Sequence, residues 1–315
     1  MLCCLFFFLR WGDLLDAKRI AESLDRLEKL RKSVRNSVVF FIVIISLSFL
    51  SIFAESEIYQ IYQFYIGGLA LIGIIFGSTI NKKKRVYKKL YNEVIVRTVF
   101  ERYFDIREFN SDYGIPYSAI KNTRMMKMGN TYSSNDFLCG EYKNIAFSQS
   151  DVTISEEHYT GRQKTSITYF KGRWMIFDFN KNFDCDLLVH DKSFNYADHR
   201  KSLLSKEFEK IRFENIEFNK AFESYTNNEQ EAFYIITPHI MDSMTELREK
   251  TNGALIFCFC RNQLHIGVNN RRDAFEPPIF RPIDVESAIS DISYDVNIIT
   301  RFVDELNLDR KVYKK

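Results

Sequence analysis

The segment Asp178-Phe-Asn-Lys-Asn-Phe-Asp-Cys-Asp186 sets oxygen-bearing side chains at every second position: Asp178, Asn180, Asn182, Asp184 and Asp186. Carboxylates and amides so spaced are the donors that hard cations prefer. A calcium loop, however, needs glycine at its sixth position and a bidentate glutamate at its twelfth, where this chain has Phe183 and Val189. The alternate positions, Met175, Phe177, Phe179, Phe183, Cys185 and Leu187 with Lys181 among them, are mostly apolar, so an amphipathic strand accounts for both sets at once. No metal is expected. The polar side has two readings. Asp178, Asn180, Lys181 and Asp184 form a ligand-binding or partner-docking edge, or they belong to a solvated sheet surface in which Asn180 and Asp184 shape a turn.

Other chemistry-bearing residues form no recognisable constellation. Histidines 158, 190, 199, 239 and 265 lack His-x-x-x-His pairing, and Cys258-x-Cys260 on a strand points both sulfurs to one face with no second pair, whereas zinc wants a closed set of four. There is no Gly-x-Ser-x-Gly elbow and no glycine-rich phosphate cradle after a strand. Glu156, Glu157 and Glu231 read as solvated carboxylates. No catalytic residue is named, and no cofactor is expected. The cysteines Cys3, Cys4, Cys139, Cys185, Cys258 and Cys260 are scattered and are expected to be free thiols in a reducing compartment.

The elements that must position these groups begin with two uncharged apolar runs, Val38 to Phe53 and Phe64 to Ile80. Crossing a bilayer core takes about 20 residues, and about 17 suffice. The runs are therefore read as a transmembrane helical hairpin over 37–81, with spans 38–54 and 62–80. Seven basic residues (Lys18, Arg19, Arg26, Lys29, Arg31, Lys32, Arg35) precede it and six (Lys82, Lys83, Lys84, Arg85, Lys88, Lys89) follow, while the connector carries Glu55 and Glu57. Positive charge stays on the cytoplasmic side, which puts both termini there and sets the basic residues on anionic headgroups. Gly68, Gly73 and Gly77 form a small-residue face, either an oligomer seam or packing within the hairpin.

Before the hairpin, residues 1–36 hold an apolar octet, Leu2 to Leu9, read either as an interfacial anchor or as lying upstream of the native start. An amphipathic helix follows over Asp13 to Arg35, with Leu14, Ala17, Ala21, Leu24, Leu27, Arg31 and Val34 at three- and four-residue intervals. That stripe suits either a coiled coil of about three heptads or packing on its own domain. After it, a basic juxtamembrane helix is expected over 82–110. A cytoplasmic domain is expected over 111–315, with a possible subdivision near 191–210. Short aromatic and β-branched runs at 144–147, 152–156, 166–170, 174–179 and 187–190 predict an antiparallel meander with a half-solvated sheet. Beyond it come a strand over Phe213 to Phe218, one helix over Gln230 to Thr251, a hairpin joining Ala254–Cys260 to Gln263–Val268 through Arg261-Asn262, and a helix over Asp284 to Leu306. The fold class is α+β: an amphipathic helix, a transmembrane hairpin, and antiparallel sheet with flanking helices. From Leu90 onward 30 basic residues face 34 acidic ones, which excludes the clustered basic surface of a nucleic-acid binder.

Several segments together resemble the bacterial family known as domain of unknown function 3137. They are Phe170-Lys-Gly-Arg-Trp-Met-Ile-Phe-Asp-Phe-Asn-Lys-Asn-Phe183, Glu231-Ala-Phe-Tyr-Ile-Ile-Thr-Pro238 and Phe275-Glu-Pro277, with lesser matches at Asn135-Asp136, Phe147-Ser148 and Leu306 to Arg310. The family pattern has arginine where this chain has Phe233 and an acidic residue near Asn228. The resemblance implies an inner-membrane protein with two spans and a cytoplasmic domain, and it brings no catalytic residues. The expected function is a membrane-anchored interaction or sensory scaffold that self-associates, with the lipid bilayer, a second copy and an unknown protein as partners. The alternative is a membrane-tethered hydrolase using carboxylates near Asp178 and Asp184 with a histidine such as His190.

Overall fold

The computed structural model describes residues 14–51, 76–124, 126–161, 163–178, 185–194, 208–273, 275–306 and 308, with the backbone alone at 14–20 and 47–51. The chain divides into two compact units, Met1–Thr98 with Glu276–Ile289, and Val99–Phe275 with Ser290–Lys315.

In the first unit helix α1 (Leu14–Ser51) runs unbroken from the amphipathic stripe into the apolar run. Helix α2 (76–91) continues through a π-helical turn, Asn92–Val96, and α3 (Arg97–Phe100) closes it. Contacts descend one helix as they ascend the other. Phe40 meets Phe76 at 5.4 Å between ring centroids, and the Lys83 ammonium donates to Ser37 Oγ at 2.9 Å. The helices are therefore antiparallel neighbours. Leu27, Arg31 and Val34 are buried, so this part of the stripe packs on its own chain. Arg31 is tolerated there because Nη1 donates to the Ile279 carbonyl at 2.9 Å and Nη2 to Glu28 at 2.6 Å. The Tyr87 hydroxyl donates to the adjacent Pro278 carbonyl at 2.7 Å. The proline-rich strand of chain at 276–283 is thus pinned across both helices.

Among the described residues no helix is long and apolar enough to cross a membrane. Of the two runs read as spans, only 38–51 and 76–80 are described. Gly68, Gly73 and the connector with Glu55 and Glu57 lie outside the described residues, as does the octet Leu2 to Leu9.

The second unit is built on one antiparallel sheet. Its strands are β1 (Asp105–Asn110), β2 (Thr131–Tyr142), β3 (Ile145–Thr160), β4 (Gln163–Asp178), β5 (Leu187–Asp191), β6 (Glu209–Ile211), β7 (Phe222–Thr226), β8 (Ala254–Cys260) and β9 (Gln263–Asn269), in the order β1-β2-β3-β4-β9-β8-β5-β7-β6. The expected meander exists from β1 to β4, but β4 turns to β9 rather than to β5. The predicted runs 144–147 and 152–156 fuse into one 16-residue strand, and 166–170 with 174–179 into another. Gly172 permits the second fusion, since a Cβ there would collide with the Val268 carbonyl oxygen of β9. The β2–β3 and β8–β9 turns hold Lys143-Asn144 and Arg261-Asn262, all four at positive φ, the two-residue type I′ geometry that asparagine tolerates.

Helices α4 (Tyr117–Lys121), α5 (Ile216–Ala221), α6 (Glu229–Ile235), α7 (Pro238–Lys250) and α8 (Val285–Glu305) complete the element list. Three expectations are corrected here. The strand placed at Phe213 to Phe218 is the entry to α5, because Asn215 caps that helix by accepting from Phe218 N–H at 3.0 Å. The helix placed over Gln230 to Thr251 is two helices. Pro238 cannot continue α6 and pushes the preceding residues out of helical geometry, while Thr237 caps the new helix. The sheet is not half-solvated at its centre, since β5 is buried at every position. On one face Phe177 and Phe257 pack on Phe302 of α8; on the other, Phe170, Trp174, Ile256 and Cys258 form a cluster with Met126 and Met128. Each large side chain so buried is worth about 1.5–3 kcal/mol.

Candidate functional site

The hairpin base has the clearest charge geometry. Lys83 is tied to Ser37 and Lys88 to Glu276, so both reach inward. Lys82, Lys84, Arg85 and Lys89 are exposed. The Arg31 guanidinium, by hydrogen bonding, holds the Glu28 carboxyl below its ordinary range, and burial pushes the Tyr87 phenol up. Above this base, the apolar residues Val39, Phe40, Ile42, Val43 and Ile45 of α1 are 45–51% exposed. At 100° per residue they span about 220° of the helix rather than one narrow face, and the partly buried Phe41 and Ile44 fill the remaining side.

The edge expected from Asp178, Asn180, Lys181 and Asp184 is visible only at Asp178, an exposed residue ending β4 opposite Gln263. Asn180, Lys181 and Asp184 lie outside the described residues. His190 is buried on β5, opposite Glu223, with its ring stacked on Tyr225 at 5.7 Å. From Asp178 to His190 the register steps over three strands and four residues along. That is roughly 20 Å at about 4.8 Å per strand and 3.4 Å per residue. Asp178 and His190 therefore do not share a site, and Asp184, the other carboxylate expected for a hydrolase, lies outside the described residues. Glu156 and Glu157 sit on the β3–β4 ribbon. The first is paired with Lys127 and Tyr169, which hold it below its ordinary range, and the second with Lys164 at 2.8 Å. Glu231 stands in the first turn of α6, where its N–H donates to the Asn228 cap. Asn228, at the position near which the family pattern is acidic, thus does the capping work of an aspartate. Phe233, where the pattern has arginine, packs edge-on against Phe213 at 5.2 Å.

The second unit also contains a buried charge centre that the spacing of residues did not reveal. Arg173 of β4 is 4% exposed. Its Nε lies 3.5 Å from Asp151 Oδ1, and its Nη1 lies 3.2 Å from Asp295 Oδ1 and donates to Gln149 Oε1 at 3.4 Å. The Phe275 ring covers the guanidinium at 4.8 Å, with Phe275 itself at φ 59°, a strained conformation for a bulky residue. Burial alone would pull Arg173 down, but the carboxylates of Asp295 and Asp151 outweigh it. Burial raises the Asp295 carboxyl, and Arg173 limits the rise. The carboxylates of Asp136, Asp151 and Asp273 lie within 4.8 Å of one another. That spacing could hold a cation, but Arg173 already places positive charge there. The centre reads as an internal ion network. Its only signal in the sequence is that Asp136, Arg173 and Phe275 all fall in the segments that carry the family resemblance.

On the opposite face of the sheet, Cys258 pairs across β8–β9 with His265, and the Trp174 indole N–H donates to His265 Nδ1 at 3.3 Å. An indole nitrogen only donates, so Nδ1 is the acceptor and Nε2 carries the proton. Hydrogen bonds from Cys258 and then His265 pull the Cys260 thiol down, while burial pushes Cys258 up. His265 therefore lies between the Trp174 indole and the Cys260 thiol, which it helps to pull down. Among the described residues the cysteines are free.

No curated protein matches this chain. Among solved structures, the crystal structure of the mycobacterial trehalose monomycolate transport factor A, TtfA, aligns at 9% identity over 67% of this chain and 90% of that one, with a TM-score of 0.36. Residues 168–308 match the family described as "Protein of unknown function (DUF3137)", and these residues include Arg173, Trp174, His265 and the strands β5 to β9. Over residues 168–308, a little under half of its length, the chain is similar to the DUF3137 family.

Proposed function

We propose that the chain is a membrane-anchored interaction or sensory scaffold. Its α1/α2 hairpin spans the bilayer, bacterial and cytoplasmic as the resemblance implies, with both termini on the basic side. The observation that carries this reading is the exposed apolar girdle of Val39, Phe40, Ile42, Val43 and Ile45 standing directly above the basic collar. A helix apolar on all sides belongs inside protein or lipid, and so large an exposed apolar surface on one helix calls for a partner phase. The Ser37–Lys83 contact sets the last cation of α1, Arg35, and the first of α2, Lys82, within about 5 Å in height. Both helices therefore change from charged to apolar in one plane, as a headgroup boundary requires.

Self-association is supported by Gly77, where an added Cβ would meet nothing within 4 Å among the described residues, so the described side chains of α1 do not account for that glycine. Alkaline carbonate extraction of native membranes tests the anchor, and protease added to right-side-out vesicles tests its orientation. Retention in the pellet with an intact C-terminal tag is expected. Release into the supernatant refutes the anchor, and digestion of the tag refutes the orientation.

A further inference from the structure

We propose that the outer edge of β4 over 164–168 pairs antiparallel with the same edge of a second copy, so that the β3–β4 ribbons of two chains form one continuous sheet. The inference rests on the self-association reading and names its surface in the second unit. Strand β2 covers β3 only as far as Ser155, and β9 with the residues after it reaches β4 only as far as Lys171. Among the described residues the ribbon therefore runs on alone, with 156–160 paired to 163–167.

Its two outer edges differ. Thr160 and Gln163 flank the turn as a hydrogen-bonded pair, and such pairs alternate with open ones. Glu157 on β3 and Lys164, Ser166 and Thr168 on β4 thus turn their N–H and C=O groups outward. On β3 the Asn130 side chain closes the gap: Nδ2 donates to the Glu157 carbonyl and Oδ1 accepts from the Glu157 N–H, both at 2.8 Å. The Asn130 N–H donates to the Ser155 carbonyl at 3.2 Å. On β4 no described residue meets the outward groups of Lys164, Ser166 and Thr168.

The β4 edge also lacks the devices that keep edges apart. Residues 163–168 are exposed, with Ile167 at 48%. Their one charge, Lys164, is drawn back over β3, with Nζ 2.8 Å from Glu157 Oε1 and 5.8 Å from the centre of the Tyr159 ring. A second copy fits because the edge is self-complementary about Ser166. Residues facing each other in a two-fold antiparallel pair lie equally far from its centre. Ser166 then faces its own counterpart, Lys164 faces the neutral Thr168, and Thr165 faces Ile167 as a β-branched pair. One strand edge buries far less than the roughly 1,000 Å² of a stable interface, so anchoring both chains in one bilayer supplies the effective concentration.

The test uses the full-length chain in liposomes, with cysteines introduced singly and the parent as background. Facing residues of a hydrogen-bonded pair are about 5.5 Å apart at Cα, within disulfide reach. Under a mild oxidant S166C should cross-link to itself, giving twice the 37.3 kDa chain. K164C and T168C should link only when the two chains are mixed, because each lies about 14 Å from its own counterpart, four residues along. Ser166→Pro removes an N–H that the ribbon itself does not use. The two central bonds it deletes are together worth about thirtyfold in association, so the mixed cross-link should be lost at unchanged melting temperature. The native mass of the parent is read in parallel. An oligomeric parent without the S166C link, a K164C chain that links to itself, or a mixed link that survives Ser166→Pro overturns the pairing and leaves self-association standing. An S166C link to a chain of another mass overturns the second copy as partner. A monomeric parent with no link overturns both.

Discussion

Arg173→Met removes the positive centre of the buried network while keeping most of the side-chain stem. Asp151 and Asp295 would lose the guanidinium that now lies 3.5 and 3.2 Å away, and breaking a buried ion pair from one side costs about 3–5 kcal/mol. Loss of the Phe275 ring contact adds about 0.5–2 kcal/mol. The expected destabilisation, about 3.5–7 kcal/mol, is comparable to the whole stability of a marginal domain, about 5–15 kcal/mol. The pH dependence has a definite sign. Asp295 is raised in the folded state, so its contribution is fully present below the ordinary carboxylate range and is lost as pH rises through the raised value. Without Arg173 the rise is larger, and the deficit of the variant should shrink as pH falls from 7 toward about 4. Urea unfolding of the detergent-solubilised full chain, followed by tryptophan fluorescence, reads both quantities. Adding Asp295→Asn should recover part of the loss, because neighbours in one network are not additive. A variant within about 1 kcal/mol of the parent at pH 7, on the scale of an exposed pair, would refute the network reasoning, as would a deficit that does not change with pH.

Arg31→Met leaves the Ile279 carbonyl without its donor and Glu28 without its partner, and should cost about 1.5–3 kcal/mol. Glu28 is lowered in the folded parent. Its contribution is therefore present above the ordinary carboxylate range and lost as pH falls through the lowered value, so thermal melts of parent and variant should converge in acid. Trp174→Phe keeps an aromatic ring but removes the N–H on His265, at about 1–2 kcal/mol besides the cost of the smaller buried ring. Nitrogen-15 spectra should show a single Nε2–H tautomer in the parent and a mixture in the variant; a mixture in the parent would undo the assignment. Gly73→Leu with Gly77→Leu should lower the oligomer mass measured in detergent if the glycine face is a seam, and an unchanged mass rejects that role.

Local chemistry was legible in the sequence wherever a single residue decides the backbone. Arg261-Asn262 gave the β8–β9 hairpin, and the period of 285–305 gave α8. What stayed hidden needed knowledge of distant partners. Nothing in Trp174 to Asp178 says that its outer neighbour is β9 rather than β5, because alternation reports a strand's faces and not its edges. The half-solvated reading failed for the same reason: apolar residues on both faces of β5 make sense only once helices cover one side and the Met126–Met128 loop the other. Pro238 is the one residue within 230–251 that marks the division into α6 and α7 in the sequence. The charge centre escaped because Asp136, Asp151, Arg173 and Asp295 are far apart in the chain, and their convergence is a property of the sheet order alone.

That strand order also sets a timetable for synthesis. β4 completes at Asp178, yet the strand that covers its outer edge begins at Gln263, about 85 residues later. At about 5–20 residues per second the edge waits roughly 4–17 s, presenting Arg173 to Asp178 with unpaired backbone, a template for joining other chains. β5 waits alongside it, since its neighbour β8 ends at Cys260. The insertion of one late hairpin between two early strands thus makes the last fifth of the chain a closing key. In detergent a chain ended after Lys250 should aggregate, whereas supplying residues 251–308 as a separate polypeptide should restore a monodisperse species.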